Sequence, residues 1–438
     1  MLRVLTYPSK RLDSYLKKLL SRVEEYPKKL EKYVEKIGEE VKKFGDKALI
    51  EYTARFDGVK LTSEELRVKE EEIERAYELV DRELLSAINY ALQKIKRFHE
   101  KALPLSWFEH FEDEIILGQL VRPVERVGIY IPGGKGGETP LISTVLMTAI
   151  PAKLAGVKKL VMVSPPRKDG SLHPALLCAA RESGVDEIYK IGGPWSIFAL
   201  AYGTESIPKV DLICGPGNIY VTLAKKLVSF HTGIDFLAGP SEVLIIADEK
   251  ANPEYIVWDL LAQAEHDPMS LSLLITPSKK ILQEVKRLLP LALEKGLRSE
   301  IAKEALENRG ALIKVKTIEE AFYLANLIAP EHLEIMTENP EQYLPLVKNA
   351  GAVFLGLYTP EAIGDYLAGP NHVLPTMGLS RFTSSLSSEK FLKKINFMKY
   401  SREALLKEAQ KVIKLAEEEK LPFHAEAVRI RIKGGNEI

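Results

Sequence analysis

From Lys28 to Ala54 apolar residues recur three and four positions apart: Leu30, Val34, Ile37, Val41, Phe44 and Leu49 stand among lysines and glutamates. That spacing predicts an amphipathic helix with one face on a core and its lysines in water. A second helix is predicted from Glu70 to His99, with His99 a surface histidine at its end. At Val127 the period changes. Short apolar runs follow at Val127 to Ile131, Leu160 to Val163, Ile188 to Ile191, Val210 to Cys214, Val243 to Ala247, Leu271 to Ile275, Ala311 to Val315, Leu333 to Met336 and Val353 to Leu357, separated by helical stretches. Strands alternating with helices imply parallel sheets built from βαβ units, and so many strands imply two α/β sheets. From about Phe391 the tail reads as charged helix. It closes with Leu421, Pro422, Phe423, His424 and a basic, strand-like run from Val428 to Ile432.

Composition narrows the class. The 438 residues, 46% hydrophobic, are too many for one core and predict two or more domains. Net charge is zero and the pI is near 7.1, so the overall balance points to neither a nucleic-acid nor an anionic-membrane partner. Cys178 and Cys214 form no Cys-x-x-Cys pair, which fits buried apolar residues in a reducing, cytoplasmic compartment rather than a disulfide framework or a thiolate zinc site. No run approaches the about 20 apolar residues of a membrane span.

Candidate chemistry lies at the ends of these elements. Glu331 and His332 sit side by side at a predicted helix-to-strand junction. An imidazole that titrates near neutrality beside a glutamate raised by partial burial can serve two different proton transfers; equally, the pair can simply pack. The glycine-rich turns Tyr130 to Gly137 and Cys214 to Asn218 each follow a strand, and the second opens a helix from Ile219 to Val228. Either turn can hold a dinucleotide phosphate or serve as a tight connection, and Tyr220 stands where the third glycine of G-x-G-x-x-G would be. Ser241 lies in a third turn, before the strand at Val243. Gln263 and His266 are three apart, on one face of a predicted helix stopped by Pro268. A zinc site there would need further donors from distant segments, for which Asp365, His372 and His424 are candidates.

Four stretches carry a resemblance. AGPSEVLIIAD at 238 to 248, LAQAEHDP at 261 to 268, APEHLEI at 329 to 335 and GDYLAGPNHVLPT at 364 to 376 resemble, in this order and spacing, the histidinol dehydrogenase family. The stretches Lys47 to Gly58 and STVLMTAIPAKLAGV at 143 to 157 are similar to it too. The resemblance implies a zinc- and NAD-dependent oxidation of L-histidinol to L-histidine through bound L-histidinal, the last steps of histidine biosynthesis. By position, Gln263, His266, Asp365 and His424 match the ligands of one zinc ion per subunit, and Glu331 and His332 match the catalytic pair. Ser241, Gln263, His266, His332, Asp365, Glu419 and His424 match substrate contacts, and Tyr130 and Asn218 match contacts to NAD. The family resemblance further implies a homodimer in which the tail carrying Glu419 and His424 completes the partner's active site. The expected fold is α/β, with two Rossmann-like, incomplete, doubly wound parallel-sheet domains. Residues 1–25 would be an N-terminal arm, 26–129 with 241–386 the domain bearing metal and catalytic residues, 130–240 the dinucleotide-binding domain, and 387–438 a dimer-contacting tail.

Two positions depart from the family pattern. Trp195 stands where the family has a glutamine that contacts the dinucleotide, and an indole cannot copy an amide's hydrogen bonds. The loop Lys135 to Thr144 is a few residues longer than usual. His372 is retained but is not placed among the ligands. Two rival readings use the same groups: oxidation of another small alcohol, or a metal-dependent hydrolase in which Glu331 activates water and no NAD is needed.

Overall fold

The computed structural model describes residues 2–22, 28–111, 114–134 and 137–433; Lys135 and Gly136 of the longer loop lie outside them. The chain divides into two units, one formed by Met1–Ala102 with Val124–Phe391, the other by Leu103–Pro123 with Leu392–Ile438.

The first unit holds two parallel sheets. In the six-stranded sheet the order is Arg3–Thr6, Ala311–Lys314, Leu271–Thr276, Glu242–Ala247, His332–Met336, Ala352–Leu355. Alternate residues of its strands feed different cores. Val243, Ile245 and Ala247 join one cluster, while Leu244, Ile246, Leu333 and Ile335 join another. Helices therefore cover both faces, which explains why the strands read as unbroken apolar runs rather than as alternation. The five-stranded sheet runs Glu187–Tyr189, Lys159–Val163, Arg126–Tyr130, Leu212–Cys214, Gly233–Ile234, again parallel throughout. From Glu242 onward the six-stranded sheet repeats the plan of the five-stranded one. The first strand of each is central, the next two extend one way, and the fourth and fifth extend the other. Arg3–Thr6 adds an edge strand to the first.

In the second unit Trp107–Phe111, Ile115–Pro123 and Leu392–Lys399 make an antiparallel sheet, with Ile115–Pro123 central. Helices Arg402–Glu418 and Pro422–Lys433 pack together through Ile413, Ala416 and Ala425, backed by Val428 and Ile432. Two readings of the tail are corrected. It begins as a strand rather than a helix, and Val428 to Ile432 is helical, because Ala425, Val428 and Ile432 at three- and four-residue spacing meet the preceding helix.

Both predicted N-terminal helices are broken. Lys28–Phe44 and Asp46–Phe56 are separated at Gly45, which adopts φ 52°. Glu70–Leu79 and Arg82–Glu100 are separated before Asp81, whose carboxylate accepts the Leu84 N–H at 2.8 Å as an N-cap. His99 is buried rather than at the surface, extending the stripe Ile88, Ala91, Ile95. Both cysteines are buried and unpaired. Among the described residues no helix is long and apolar enough to cross a membrane.

Candidate active site

The helix Ile318–Ile328 ends at Ala329, which takes the left-handed conformation at φ 53°. For a residue with a Cβ this costs about 1 kcal/mol. The turn is held by Arg22, whose Nη2 donates to the Ile328 carbonyl at 3.0 Å, and by Ser380, whose hydroxyl donates to Ala329 at 2.9 Å. It brings Glu331 and His332 to the amino end of the strand His332–Met336, and both are buried, at 6% and 3% exposure. On the far side Ala352 N–H donates to the Glu331 carbonyl at 2.8 Å, and a Cβ on Gly351 would stand 2.6 Å from that oxygen. Only glycine lets the backbone approach so closely.

Across the sheet, His332 lies opposite Val243, next to Glu242. The His332 Nδ1 is 3.0 Å from the Glu242 carbonyl oxygen. Because a carbonyl only accepts, Nδ1 carries the proton and Nε2 keeps its lone pair. Nε2 has no hydrogen-bond partner among the described residues and lies 4.0 Å from Asp365 Oδ1. Burial pushes His332 down to about 3, so the ring is neutral. The Glu242 N–H donates to Glu331 Oε2 at 2.8 Å, which in turn is 3.7 Å from His332 Nδ1. Burial raises the Glu331 carboxyl well above its usual range, although this hydrogen bond opposes the shift. One main-chain unit thus positions both members of the pair. The Glu242 side chain, fully buried, is gripped by Arg22 in a fork, Nε to Oε1 at 2.7 Å and Nη2 to Oε2 at 3.2 Å.

Beside the pair, ligand atoms of His266, Glu361 and Asp365 lie within 4.8 Å of one another. His266 is not on the helix with Gln263, as its spacing predicted. Pro253–Ala264 has ended, and His266 sits in the turn that follows, its N–H donating to the Gln263 carbonyl at 3.3 Å. Glu361 and Asp365 are four apart on the helix Glu361–Tyr366 and share a face. Desolvation raises the Glu361 carboxyl well above its normal range and Asp365 to about 6. The buried Glu361 carboxyl and the half-buried Asp365 carboxyl, with the exposed His266 imidazole and the unpartnered His332 Nε2 beside them, form an electron-rich pocket among the described residues. The nitrogen and oxygen donors suit a divalent cation, zinc included. His372 backs the pocket: its Nδ1 donates to the Asp365 carbonyl at 3.0 Å and its Nε2 is 3.3 Å from the Thr144 hydroxyl.

Other sequence-derived positions fall nearby or elsewhere. Ser241 directly precedes Glu242, and its carbonyl accepts the Leu271 N–H at 2.9 Å. Tyr130 and Asn218 follow the adjacent strands Arg126–Tyr130 and Leu212–Cys214 at their carboxyl ends, where the strand order of the five-stranded sheet reverses. That switch point is where open parallel sheets hold nucleotides. Tyr130 is buried, and burial raises its hydroxyl well above the usual tyrosine range. Asn218 is the N-cap of Ile219–Val228, accepting from Tyr220 and Val221. A Cβ on Gly215 would collide with the Tyr130 carbonyl, so this glycine sets the two turns against each other. Trp195 is buried and stacks on Tyr52 and Phe56, with centroids 5.6 and 5.5 Å away. Glu419 and His424 belong to the second unit, where both are exposed.

Sequence reasoning missed Glu361, Glu242 and Arg22. The i, i+4 spacing of Glu361 and Asp365 was a usable signal, whereas nothing local links Arg22 to a glutamate 220 positions away.

Comparison with known proteins bears on what this pocket is. The histidinol dehydrogenase family model matches residues 20–432. Histidinol dehydrogenase of Carboxydothermus hydrogenoformans is 54% identical over 391 residues, covering 88% of this chain and 90% of its own. That of Desulfotalea psychrophila is 51% identical over 388 residues, covering 89% of each. The crystal structure of histidinol dehydrogenase from Elizabethkingia anophelis matches with a TM-score of 0.93 at 40% identity, over 100% of this chain and 99% of that one. With the family model spanning nearly the whole chain and close relatives aligned along most of it, this chain belongs to the histidinol dehydrogenase family of oxidoreductases.

Proposed function

We propose that the protein oxidises L-histidinol to L-histidine in two successive two-electron steps through bound L-histidinal, with NAD as acceptor and one zinc ion per subunit. The observation that carries this reading is the tautomer of His332, its Nδ1 proton committed to the Glu242 carbonyl and its Nε2 lone pair free in the pocket. Gln263, His266 and Asp365 would hold the zinc ion together with the partner subunit's His424. When bound, zinc supplies orientation of the substrate and NAD accepts hydride.

The chain's own groups move the protons. His332 Nε2 takes the hydroxyl proton of the alcohol as the carbinol C–H bond breaks and the carbonyl forms. Glu331 then takes a proton from water while the water oxygen adds to the aldehyde carbon. Burial gives this carboxylate the raised proton affinity that general-base work needs. His332 returns its proton to the former carbonyl oxygen, completing the gem-diol, and takes a hydroxyl proton again as the second hydride leaves carbon for NAD, so that the product leaves as the acid. Ser241, Glu419 and His424 would contact the substrate, and Tyr130 and Asn218 the dinucleotide at the switch point.

The working form in this proposal is a homodimer, with the partner's tail supplying Glu419 and His424. Support comes from the second unit itself, which exposes Phe423 (88%), Met398 (68%), Phe108 (66%), Leu415 and Ile430. Large exposed apolar side chains of this kind are ones a partner subunit could cover. The setting would be cytoplasmic, in keeping with two unpaired cysteines, and the reading involves neither nucleic acid nor membrane.

The test is the ratio of NADH formed to L-histidinol consumed by zinc-loaded protein, with histidine assayed as product. A ratio of two with histidine supports the reading. Zinc uptake without NADH would favour another reaction.

A further inference from the structure

Gln263 is completely buried at the floor of the pocket, and its amide has two orientations related by a half-turn. In one, the amide nitrogen meets both Glu361 carboxylate oxygens, Oε2 at 2.8 Å, and the amide oxygen accepts the Glu242 N–H at 3.2 Å. In the other, oxygen would face carboxylate and NH₂ would face N–H, pairing acceptors with acceptors and donors with donors. Glu361 therefore decides which way the amide points. Its own place is set from behind. Its N–H donates to Glu334 Oε1 at 3.0 Å, and its carboxylate is 3.8 Å from His332 Nδ1. The His332 Nε2 that opens into the same pocket, on a side chain 3% exposed, is without a partner among the described residues and marks the space as one that receives a ligand.

We propose that Glu361 is a positioning residue of the cation site, holding the Gln263 amide in a single orientation and acting on the cation through Gln263. The proposal rests on the zinc reading above. Without the Glu361 carboxylate the buried Gln263 NH₂ has no acceptor, so the amide is no longer fixed with its oxygen as the available donor, and a ligand set with a misoriented donor binds more weakly. Outer partners that orient a metal ligand are worth ten- to hundred-fold in affinity.

The experiment is zinc affinity by chelator competition on wild-type protein, Glu361→Gln, Gln263→Leu and the double variant, alongside the visible spectrum of each loaded with cobalt(II). Glu361→Gln should bind zinc about 10- to 100-fold more weakly and show an altered cobalt spectrum. In the Gln263→Leu background, adding Glu361→Gln should change affinity by less than about twofold, since the residues act as one unit. If Glu361→Gln does not fold, by circular dichroism of the metal-free form, Glu361→Asp is used. It keeps the charge, shortens the reach and should show the same loss. Unchanged zinc affinity, or losses that multiply in the double variant, overturn the proposal. Wild-type protein that takes up no zinc removes the zinc reading itself, and this is seen before any variant is compared.

Discussion

The His332 Nδ1 stands 3.0 Å from the main-chain oxygen of Glu242, whose N–H, on the other side of the same residue, binds Glu331 Oε2 at 2.8 Å. The imidazole and the carboxylate are therefore registered against one strand residue, but each has its own contact. Their roles should separate on mutation. Glu331→Gln is expected to slow conversion of histidinal to histidine by on the order of 10²-fold while sparing alcohol oxidation. His332→Asn should slow both by 10²- to 10⁴-fold. Single-turnover assays started from each substrate distinguish them, and equal losses for Glu331→Gln would remove its assigned role.

Arg22 and Glu242 are 2% and 0% exposed, so neither can be satisfied by water if the other is lost. Arg22→Met should destabilise the protein by about 3–5 kcal/mol, because it strands a buried carboxylate. Arg22→Lys should recover only part of this, since an ammonium cannot copy the fork. Chemical denaturation of the three proteins provides the comparison. A loss under about 1 kcal/mol for the methionine variant would show that Glu242 is accommodated in another way.

Trp195 has its ring committed to Tyr52 and Phe56, and a Cβ on Gly193 would collide with the indole. Trp195→Gln, which puts at this position the amide that the sequence resemblance leads one to expect, should cost roughly 2–4 kcal/mol of stability through the emptied stack. It should also lower the KM for NAD if that amide can reach the cofactor. Thermal unfolding reads the first effect and initial-rate kinetics the second; an unchanged Tm would mean that the stack contributes little.

His99 is buried with neither ring nitrogen bonded among the described residues, and burial lowers it from 6.5 to about 4. Unfolded chains protonate this histidine below about pH 6.5, whereas the folded protein resists until about pH 4. The unfolded state therefore binds more protons in that window, and stability falls as pH drops through it. His99→Leu should flatten that part of the Tm-against-pH curve. If the slope between pH 6.5 and 4 is unchanged, His99 is not its source.

The strand runs were legible because strands buried on both faces have no polar side to interrupt them, as in Val243 to Ala247. Helix breaks were harder to see. The apolar spacing from Leu30 to Leu49 runs straight through Gly45, and only the backbone conformation there reveals the turn. In Val428 to Ile432 the alternation of arginine with valine and isoleucine mimics a strand, and packing on Ile413 overrides it. The buried position of His99 could have been read from the stripe it extends. For the pocket, Glu331 and His332 are neighbours in the chain and could be found together, whereas the groups that hold them, Arg22 and Glu242, meet only after folding.

The two parallel sheets share one strand plan, yet their candidate residues sit at opposite ends. In the five-stranded sheet Tyr130 and Asn218 lie at the carboxyl ends, where a helix begins at Ile219. In the six-stranded sheet Glu242 and His332 lie at the amino ends, where the helices Pro253–Ala264 and Ile318–Ile328 finish. Aligned peptide dipoles make a helix start electropositive and a helix finish electronegative, roughly half an elementary charge each. The same plan therefore offers anions a positive rim in one sheet and cations a negative rim in the other. A duplicated architecture acquires two complementary polarities simply by being used from both ends.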